Sequence, residues 1–275
     1  MIDLKTEDGI AVVTLAHGKA SALDIELCEA LTKCFEELRA PEIRAVVLTG
    51  QGRIFSAGVD LVRLGSGGTD YVRKFLPVMN RAFDAVFFLP KPLVAALNGH
   101  AIAGGCVLAC CADRRLMTRG GGRIGVTELL VGVPFPALAF EIVRAAVPSR
   151  HFAEFTLGGA TYEADDALAR GWVDEIVEAD ALMENAMAAA RRLASLPTFA
   201  FAQTKTQMRQ PVVERLERSG AADDREIDHP ELVHRGDRLV GEATLAADRA
   251  HAVLTAERLR ESDHAGRRKI GRAHV

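Results

Sequence analysis

The sequence predicts an α/β fold, and three observations lead to this prediction. Short continuous apolar runs at 45–49 and 93–97 are typical of strands that are buried on both faces. An amphipathic segment at 70–88, with apolar residues at helical spacing, lies between them. Of the 275 residues, 49% are hydrophobic and 26% are charged, as in globular chains that bury a large core. Strands that alternate with helices indicate an α/β architecture.

The expected elements follow in chain order from local signals. Asp8-Gly9 is a favoured two-residue turn and predicts a hairpin of strands at 2–5 and 10–15. Asp24 is expected to cap a helix that ends near residue 39. A polar loop is expected up to Asp60. The other expected strands are at 45–49, 93–97, 114–118 and 172–177, and the other expected helices are at 70–88, 104–112, 136–146, 149–157, 163–170 and 179–195.

The C-terminal part of the chain differs in composition from the rest. Charged, helix-like sequence follows residue 197, with a break at His229-Pro230, and predicts a core over 1–197 and a helical region over 198–275. A basic cluster ends the chain and is interpreted as a solvated tail, with a phosphate-contacting tail as the alternative. Its members are Arg267, Arg268, Lys269 and Arg272.

Composition and charge exclude several classes of protein. A net charge of −3 gives no general attraction to nucleic acid or to an anionic membrane, so neither partner is expected. The N-terminus lacks a secretory signal, and the apolar stretch 93–112 is interrupted by Asn98 and His100, which favours a strand, loop and helix over a membrane span. Five cysteines without a CxxC pair predict buried free thiols, no metal site and a reducing, cytoplasmic location.

Three segments carry residue types suited to chemistry. Segment 55–60 (FSAGVD) and segment 98–106 (NGHAIAGGC) each follow a predicted buried strand and offer small residues with accessible backbone N–H groups. If the two strands are neighbours, these donors converge as in an oxyanion hole. Segment 125–134 contains Glu128 among apolar residues, where burial would raise its pKa towards neutrality and suit it to proton transfer.

Each segment also has a structural interpretation. The first could be a tight turn, and the glycines of the second could serve close packing of a helix on a strand. Glu128 could be a helix cap or one member of an ion pair. The three motifs in this order give a more specific signal than any one of them alone.

Taken together, these motifs make the chain resemble the crotonase (enoyl-CoA hydratase/isomerase) superfamily, from the first strand to about residue 200. FSAGVDL and NGHAIAGGCVLACCADRRL are similar to its two oxyanion-loop motifs, and RIGVTELLVGVP to its Glu-bearing segment. The resemblance implies a spiral of ββα turns with a C-terminal helical region, assembled as a trimer or dimer of trimers. It implies an acyl-CoA thioester as substrate, with coenzyme A as part of that substrate and no metal or redox cofactor.

The resemblance also assigns roles to individual residues. The backbone N–H groups of Ala57 and Gly104 would hold the thioester oxygen, and Glu128 would move the proton. Lys19 and Ala20 would meet the nucleotide end of coenzyme A, in a loop that has Ser21 where the family commonly has Asn. The remaining implied substrate-binding residues are Gly58, Val59, Asp60 and Gly105.

One departure from the family bears on the reaction. Hydratases of this family carry a second Glu three residues after the oxyanion glycine, where this chain has Val107. Hydration commonly uses two carboxylates, whereas moving a double bond needs only one base. The sequence therefore favours conversion of a 3-enoyl-CoA to a 2-enoyl-CoA. A second departure, Pro134 one residue early after Gly132, makes the pose of Glu128 less transferable.

Three alternatives remain open at this stage. Ser56 and His100 could form a Ser–His hydrolase, although no orienting Asp is evident. A hydratase with an altered acid–base set is possible, as is an acyl-CoA-binding family member without turnover, which Val107 also suggests. Glu141 and Glu154 could replace a missing acid, but their helical positions favour surface charges.

Overall fold

The computed structural model describes the backbone of residues 1–227 and the side chains of residues 1–219. Within this part the fold is α/β, as predicted. The strands are β1 (Ile2–Glu7), β2 (Ile10–Leu15), β3 (Ala45–Gly50), β4 (Ile54–Ser56), β5 (Leu93–Leu97), β6 (His100–Ile102), β7 (Arg114–Thr118), β8 (Ile124–Gly125) and β9 (Glu175–Val177). The helices are α1 (Ile25–Glu37), α2 (Leu61–Phe87), α3 (Gly104–Cys110), α4 (Ala137–Ala146), α5 (Ser149–Gly158), α6 (Ala164–Arg170), α7 (Leu182–Ala194) and α8 (Thr198–Ile227).

A six-stranded sheet in the order β1-β2-β3-β5-β7-β9 forms the centre of the core. Only β1 pairs antiparallel, through the hairpin turn at Asp8 and Gly9, and the other four pairs are parallel. Both faces are covered, because Val47 packs in the cluster under α7 while Val46 and Leu48 pack in the larger cluster on the opposite face. This explains why β3 is buried at all six positions.

A second sheet of three short parallel strands, β4-β6-β8, lies after the first in chain order. Each of its strands follows one long strand: β4 follows β3, β6 follows β5 and β8 follows β7. The chain thus repeats a long strand, a short strand and a helical segment. This repetition is the spiral of ββα turns that the resemblance implied. The small sheet was absent from the predicted elements, since runs of two or three residues give no detectable period.

The structure differs from the predicted elements mainly at α2. This helix begins at Leu61 rather than near residue 70, because the Asp60 carboxylate caps it by accepting the N–H of Arg63 at 3.0 Å. Gly68, with φ 58° and ψ −158°, breaks the helix geometry. It separates residues 61–67 from the predicted amphipathic part of the helix. The three glycines in the segment LGSGG are unfavourable in a helix, so the sequence did not predict this early start.

Helix α8 is the part of the predicted C-terminal region that the structure describes. It begins at Thr198, continues through Pro211 and contacts α4. The division into 1–197 and 198–275 stays a prediction, and the His229-Pro230 break and the basic cluster at 267–272 lie outside the described residues.

Two further expectations concern the apolar stretch and the cysteines. Residues 93–112 form β5, β6 and α3, as predicted, and no helix among the described residues is long and apolar enough to cross a membrane. All five cysteines are buried and free. Within residues 1–219 no cluster of potential metal ligands occurs.

Candidate functional site

The three segments singled out in the sequence meet at one edge of the small sheet. The strands β4, β6 and β8 are parallel, so their carboxyl ends point the same way and lead into 57–60, 103–104 and 126–128. The first two loops touch: a Cβ added to Gly58, which has φ 81°, would lie 2.9 Å from the Gly104 nitrogen. The second and third are joined by a 2.9 Å hydrogen bond from the Ala103 N–H to the Gly125 carbonyl.

The backbone N–H groups of segment 57–60 are not equally available. The Ala57 N–H donates to the carbonyl of Ala20 at 3.0 Å. The N–H groups of Gly58 and Asp60 are also engaged, with acceptors at 3.2 and 3.0 Å. The assignment of Ala57 as an oxyanion donor is therefore not supported, because its hydrogen is already used to hold the loop.

Val59 has the free donor of this segment. Its N–H has no hydrogen-bond partner among the residues that the structure describes, since the parallel bridge with Leu23 uses the groups on either side of it. Val59 also lies next to the second loop, because a Cβ added to Gly104 would be 3.6 Å from its Cγ2 atom. The residues of this segment alone do not distinguish Val59 from Ala57 as the donor, since the bridge to Leu23 is a long-range contact.

Gly104 carries the second donor at the turn from β6 into α3. Within the described part of the chain its N–H has no acceptor. The preceding Ala103 has φ 50°, which is unfavourable for alanine and fixes the direction in which the chain enters the helix. Gly105 serves packing instead, because a Cβ there would lie 2.3 Å from the Ser56 carbonyl oxygen.

Glu128 lies on the short 3-10 helix Glu128–Val131, between β8 and α4. Its Oε2 atom is buried and has no hydrogen-bond partner among the described residues. Burial raises the pKa of this carboxyl to about 7, although backbone hydrogen bonds from Glu128 itself and Thr127 act in the opposite direction. The side chain can therefore exist as acid and as base near neutral pH, as proton transfer requires.

Val107 lies on α3, three residues after Gly104, and is 1% exposed within the main core. The preceding Cys106 is also fully buried. Burial raises the pKa of the Cys106 thiol well above its usual value, with smaller contributions from Cys110 and from the charge of Glu128. The position at which hydratases of the family carry a second carboxyl group is thus part of the apolar core.

Segment 57–60, named the oxyanion segment for the role that the resemblance implies, is held from its other side by the N-terminal loop 17–24. Besides the bond from Ala57 to Ala20, the Leu23 N–H donates to the Gly58 carbonyl at 2.7 Å. The Ser56 hydroxyl donates to the Ser21 carbonyl, also at 2.7 Å. Lys19 is exposed and has no ion-pair partner among residues 1–219, so its ammonium group is available to a ligand.

The Ser–His hydrolase alternative is disfavoured by the surroundings of Ser56. This side chain is completely buried, and its hydroxyl already donates to the Ser21 carbonyl and accepts the Gly58 N–H. A serine nucleophile needs a hydroxyl that is exposed to substrate and free to pass its proton to a base.

Glu141 and Glu154 are both engaged in ion pairs. The surface-charge interpretation of Glu141 is wrong, because it is 8% exposed and forms ion pairs with Arg144 and Arg215. Glu154 is exposed, as expected, and its pKa is lowered mainly by the hydrogen bond from Arg170. Neither residue carries a carboxyl group that is free to act as a second acid.

The chain is similar to known proteins in both sequence and fold. A sequence model of the family described as Enoyl-CoA hydratase/isomerase matches residues 5–235. A probable enoyl-CoA hydratase, EchA17, of Mycobacterium tuberculosis is 33% identical over 205 residues, 74% of this chain and 78% of that protein. The mouse mitochondrial enoyl-CoA delta isomerase 1 is 27% identical over 226 residues, 81% of this chain and 78% of that protein. The crystal structure of the probable enoyl-CoA hydratase EchA3 of Mycobacterium tuberculosis has a TM-score of 0.78 at 30% identity, covering 85% of this chain and 98% of that one.

Proposed function

The chain is an enzyme of the enoyl-CoA hydratase/isomerase (crotonase) family, and we propose that it converts a 3-enoyl-CoA to a 2-enoyl-CoA. The observation that carries this proposal is the buried carboxyl oxygen of Glu128, which has no hydrogen-bond partner among the described residues. Glu128 has a buried, unpartnered carboxyl oxygen, whereas Val107 and its surroundings are apolar. A double-bond shift needs one base, and hydration is the second candidate because curated relatives are named hydratases.

The thioester oxygen is held, in this proposal, by the N–H groups of Val59 and Gly104. Removing a proton from the carbon next to a thioester places negative charge on that oxygen. Two fixed donors stabilise this charge without reorganising, and losing one such donor typically costs about 3–4 kcal/mol of transition-state stabilisation. Val59 replaces the expected Ala57, since within segment 57–60 only the Val59 N–H lacks an acceptor among the described residues.

Glu128 moves the proton. Its carboxylate takes a proton from C2, so that the electrons of the C2–H bond pass into the thioester enolate. The same carboxyl group then returns the proton to C4 as the double bond moves from C3–C4 to C2–C3. A pKa of about 7 suits both halves of this cycle, because a much stronger acid would be a poor base and a much weaker acid would not return the proton.

The remainder of the substrate follows from the same loops. We assign loop 17–24, with Lys19 and Ala20, to the nucleotide end of coenzyme A, and segment 57–60 to the border of the acyl group. Lys19 is suited to a phosphate because its ammonium group is exposed. Coenzyme A belongs to the substrate, and the proposed reaction uses no other cofactor. Assembly as a trimer or dimer of trimers and a cytoplasmic location stay predictions.

The test compares a 3-enoyl-CoA with a 2-enoyl-CoA, with products identified by mass spectrometry and chromatography. Wild type is expected to isomerise the first faster than it hydrates the second. Glu128→Gln should lose about 10²–10⁴-fold in kcat, because general acid–base catalysis typically contributes that factor, while KM changes little. Glu154→Gln is the matched control, since both oxygens of this exposed carboxyl group are already paired, with His151 and with Arg170.

Two outcomes would contradict the proposal. Rapid hydration with negligible isomerisation by wild type would favour the hydratase candidate. A Glu128→Gln variant with unchanged kcat would remove the assignment of the base. Val107→Glu is a less direct test, because the new carboxyl group would replace a side chain that is 1% exposed in the core. If this variant folds, it should gain hydration relative to isomerisation.

A further inference from the structure

A buried carboxylate links the N-terminal loop to two helices. Asp24 is 4% exposed, and its Oδ1 atom accepts the Leu27 N–H at 2.8 Å at the start of α1. Its Oδ2 atom lies 2.7 Å from His17 Nε2 and accepts a hydrogen bond from Arg63 Nη1 at 2.8 Å. Burial would raise the pKa of Asp24, but the hydrogen bonds from Leu27, His17 and Arg63 lower it, so the group is charged at neutral pH.

Arg63 has further partners that join α2 to α1. Its guanidinium group donates from Nη2 to Glu26 Oε1 at 2.9 Å, and from Nη1 to the other oxygen of the same carboxylate. Its backbone N–H donates to the Asp60 carboxylate at 3.0 Å. Arg63 thus pairs with Asp24, which caps α1, and with Glu26 in its first turn, while its own main chain is fixed directly after the oxyanion segment.

The oxyanion segment is attached to the same loop through the backbone. The Leu23 N–H donates to the Gly58 carbonyl at 2.7 Å, and the Asp60 N–H donates to the Leu23 carbonyl at 3.0 Å. These two bonds enclose Val59 and direct its N–H away from Leu23. The position of that N–H therefore depends on Leu23, and the residue after Leu23 is the one that Arg63 holds.

We propose that Arg63 is a positioning residue for the reaction, which holds the Val59 N–H at the thioester oxygen through Asp24 and Leu23. This inference rests on the proposed oxyanion role of Val59. Arg63 does not touch the reacting atoms. It closes a ring that runs from Val59 to Leu23, Asp24, Arg63, Asp60 and back, and that keeps the donor loop in one arrangement.

The charges of this cluster explain why an arginine is needed. Asp24 and Glu26 are both acids, and the charge of each raises the energy of the other. A planar guanidinium group can pair with both carboxylates at once, whereas a lysine ammonium group is a single point of charge. Without a cation, repulsion between the two acids would loosen the start of α1 and the loop before it.

The test measures kcat, KM and enolate formation in three variants. Arg63→Met is expected to lose about 10-fold in kcat on a 3-enoyl-CoA with KM within about 2-fold, because small displacements of a positioned group lower the rate more than binding. Arg63→Lys should recover part of the loss. The control is Arg119→Met, since Arg119 also pairs with two acids, Asp165 at 2.8 Å and Glu178 at 3.5 Å, but lies outside the site.

A second measurement separates this inference from the proposed reaction. Acetoacetyl-CoA is a β-keto thioester whose enolate absorbs in the ultraviolet, so the enolate fraction of the bound probe reports the oxyanion donors without turnover. Arg63→Met should lower that fraction about 10-fold, and Arg119→Met should leave it unchanged. If wild type converts no 3-enoyl-CoA, the proposed reaction fails, but the probe still decides the role of Arg63.

Several results would overturn the role of Arg63. These are an unchanged enolate fraction in Arg63→Met, an equal loss in Arg119→Met, a change confined to KM, or no enolate formation in wild type. If Arg63→Met does not fold, Arg63→Lys decides the question, since full retention of kcat and of the enolate fraction by a single-point cation would contradict the need for the paired guanidinium.

Discussion

Glu128 and Asp113 are both acids that are largely removed from water, but their surroundings differ. Asp113 accepts hydrogen bonds from Lys205 Nζ at 2.6 Å, Arg209 Nη2 at 3.1 Å and the Leu93 N–H at 2.8 Å. Glu128 has a buried oxygen without any partner among the described residues. Asp113 is paired with two cations and a backbone N–H, whereas burial raises the pKa of Glu128 to about 7 and leaves this group able to gain and lose a proton near neutral pH. The first arrangement is typical of a structural ion-pair cluster, and the second suits proton transfer.

The two regions also differ in whether their buried charges and strained backbone conformations are compensated by contacts. At the attachment of α8, Lys205 and Arg209 are paired with Asp113 and with the backbone carbonyls of Lys91 and Cys111, and of their buried nitrogen atoms only Arg209 Nη1 is left without a partner among the described residues. The edge of the small sheet contains features that cost free energy instead. Besides Glu128, two of the three non-glycine residues with positive φ in the described part, Ser21 and Ala103, lie there. Such uncompensated features are typical of functional sites.

The largest expected effect comes from breaking the paired region. Asp113→Asn leaves two buried cations without their counter-charge, and removing one partner of a buried pair typically costs about 3–5 kcal/mol in the free energy of unfolding. Urea denaturation followed by circular dichroism measures this loss. Glu128→Gln should cost far less or stabilise the protein, because it removes an unpartnered acid.

The control for this prediction is a pair that remains in water. Asp165 is 77% exposed where it meets Arg119, so Asp165→Asn should change the free energy of unfolding by only about 0–1 kcal/mol. A loss below about 1 kcal/mol in Asp113→Asn would mean that the cations relax into solvent and that the contrast with Glu128 is overstated.

Some features of the paired region and of the remaining fold could be predicted from the sequence, and others could not. The start of α8 near residue 197 could be predicted from composition, and the hairpin at Asp8-Gly9 and the cap at Asp24 from local signals. The burial of Lys205 and Arg209 against Asp113 could not be predicted, because Asp113 lies about a hundred positions earlier in the chain. Their pairing depends on how α8 docks, which no local pattern encodes.

A smaller effect is expected from the titration of Glu128. The pKa of this group is raised from 4.5 to about 7, so the folded protein retains a proton that the unfolded chain loses. Its contribution to the free energy of unfolding is therefore full below pH 4.5 and is lost as the pH rises through 7. Since the base must be ionised, kcat/KM should rise over the same range and reach half its maximum near pH 7.

Two pH profiles check this prediction, one of kcat/KM and one of urea stability between pH 4.5 and 8. Glu128→Gln should remove the part of the stability slope that lies between pH 4.5 and 7, whereas Glu154→Gln should keep it. A rate that is flat between pH 5.5 and 8 in wild type would show that Glu128 is ionised throughout this range, which would contradict the raised pKa.

The site itself was only partly predictable. The three motifs gave Glu128, Gly104 and segment 57–60, because their small and acidic residues are unusual next to buried strands. The choice between Ala57 and Val59 was not accessible, since it depends on which N–H bonds to loop 17–24. The role proposed for Arg63 was not predictable either, because its partners Asp24 and Glu26 lie nearly forty positions earlier in the chain.

The smallest expected effect concerns backbone strain at the site. Ser21 is 4% exposed and has φ 45°, a conformation that costs a non-glycine residue free energy. Its N–H donates to the His17 carbonyl at 2.8 Å and its carbonyl accepts the Ser56 hydroxyl, so the important contacts are made by the backbone. Ser21→Gly keeps these contacts and relieves the strain. The gain should exceed the entropic cost of glycine by about 0.5–1 kcal/mol in the free energy of unfolding.

Asp8→Gly is the matched control for Ser21→Gly, because Asp8 has a similar φ of 51° in the hairpin turn, away from the three loops. Both variants should be more stable in urea denaturation, since glycine adopts this conformation without steric cost. Only Ser21→Gly should change kcat, through a more mobile loop beneath Val59. Equal kcat in both variants would mean that strain at Ser21 is unrelated to the site. A loss of stability in Ser21→Gly alone would mean instead that the buried hydroxyl, 3.4 Å from the His17 nitrogen, contributes more than the strain costs.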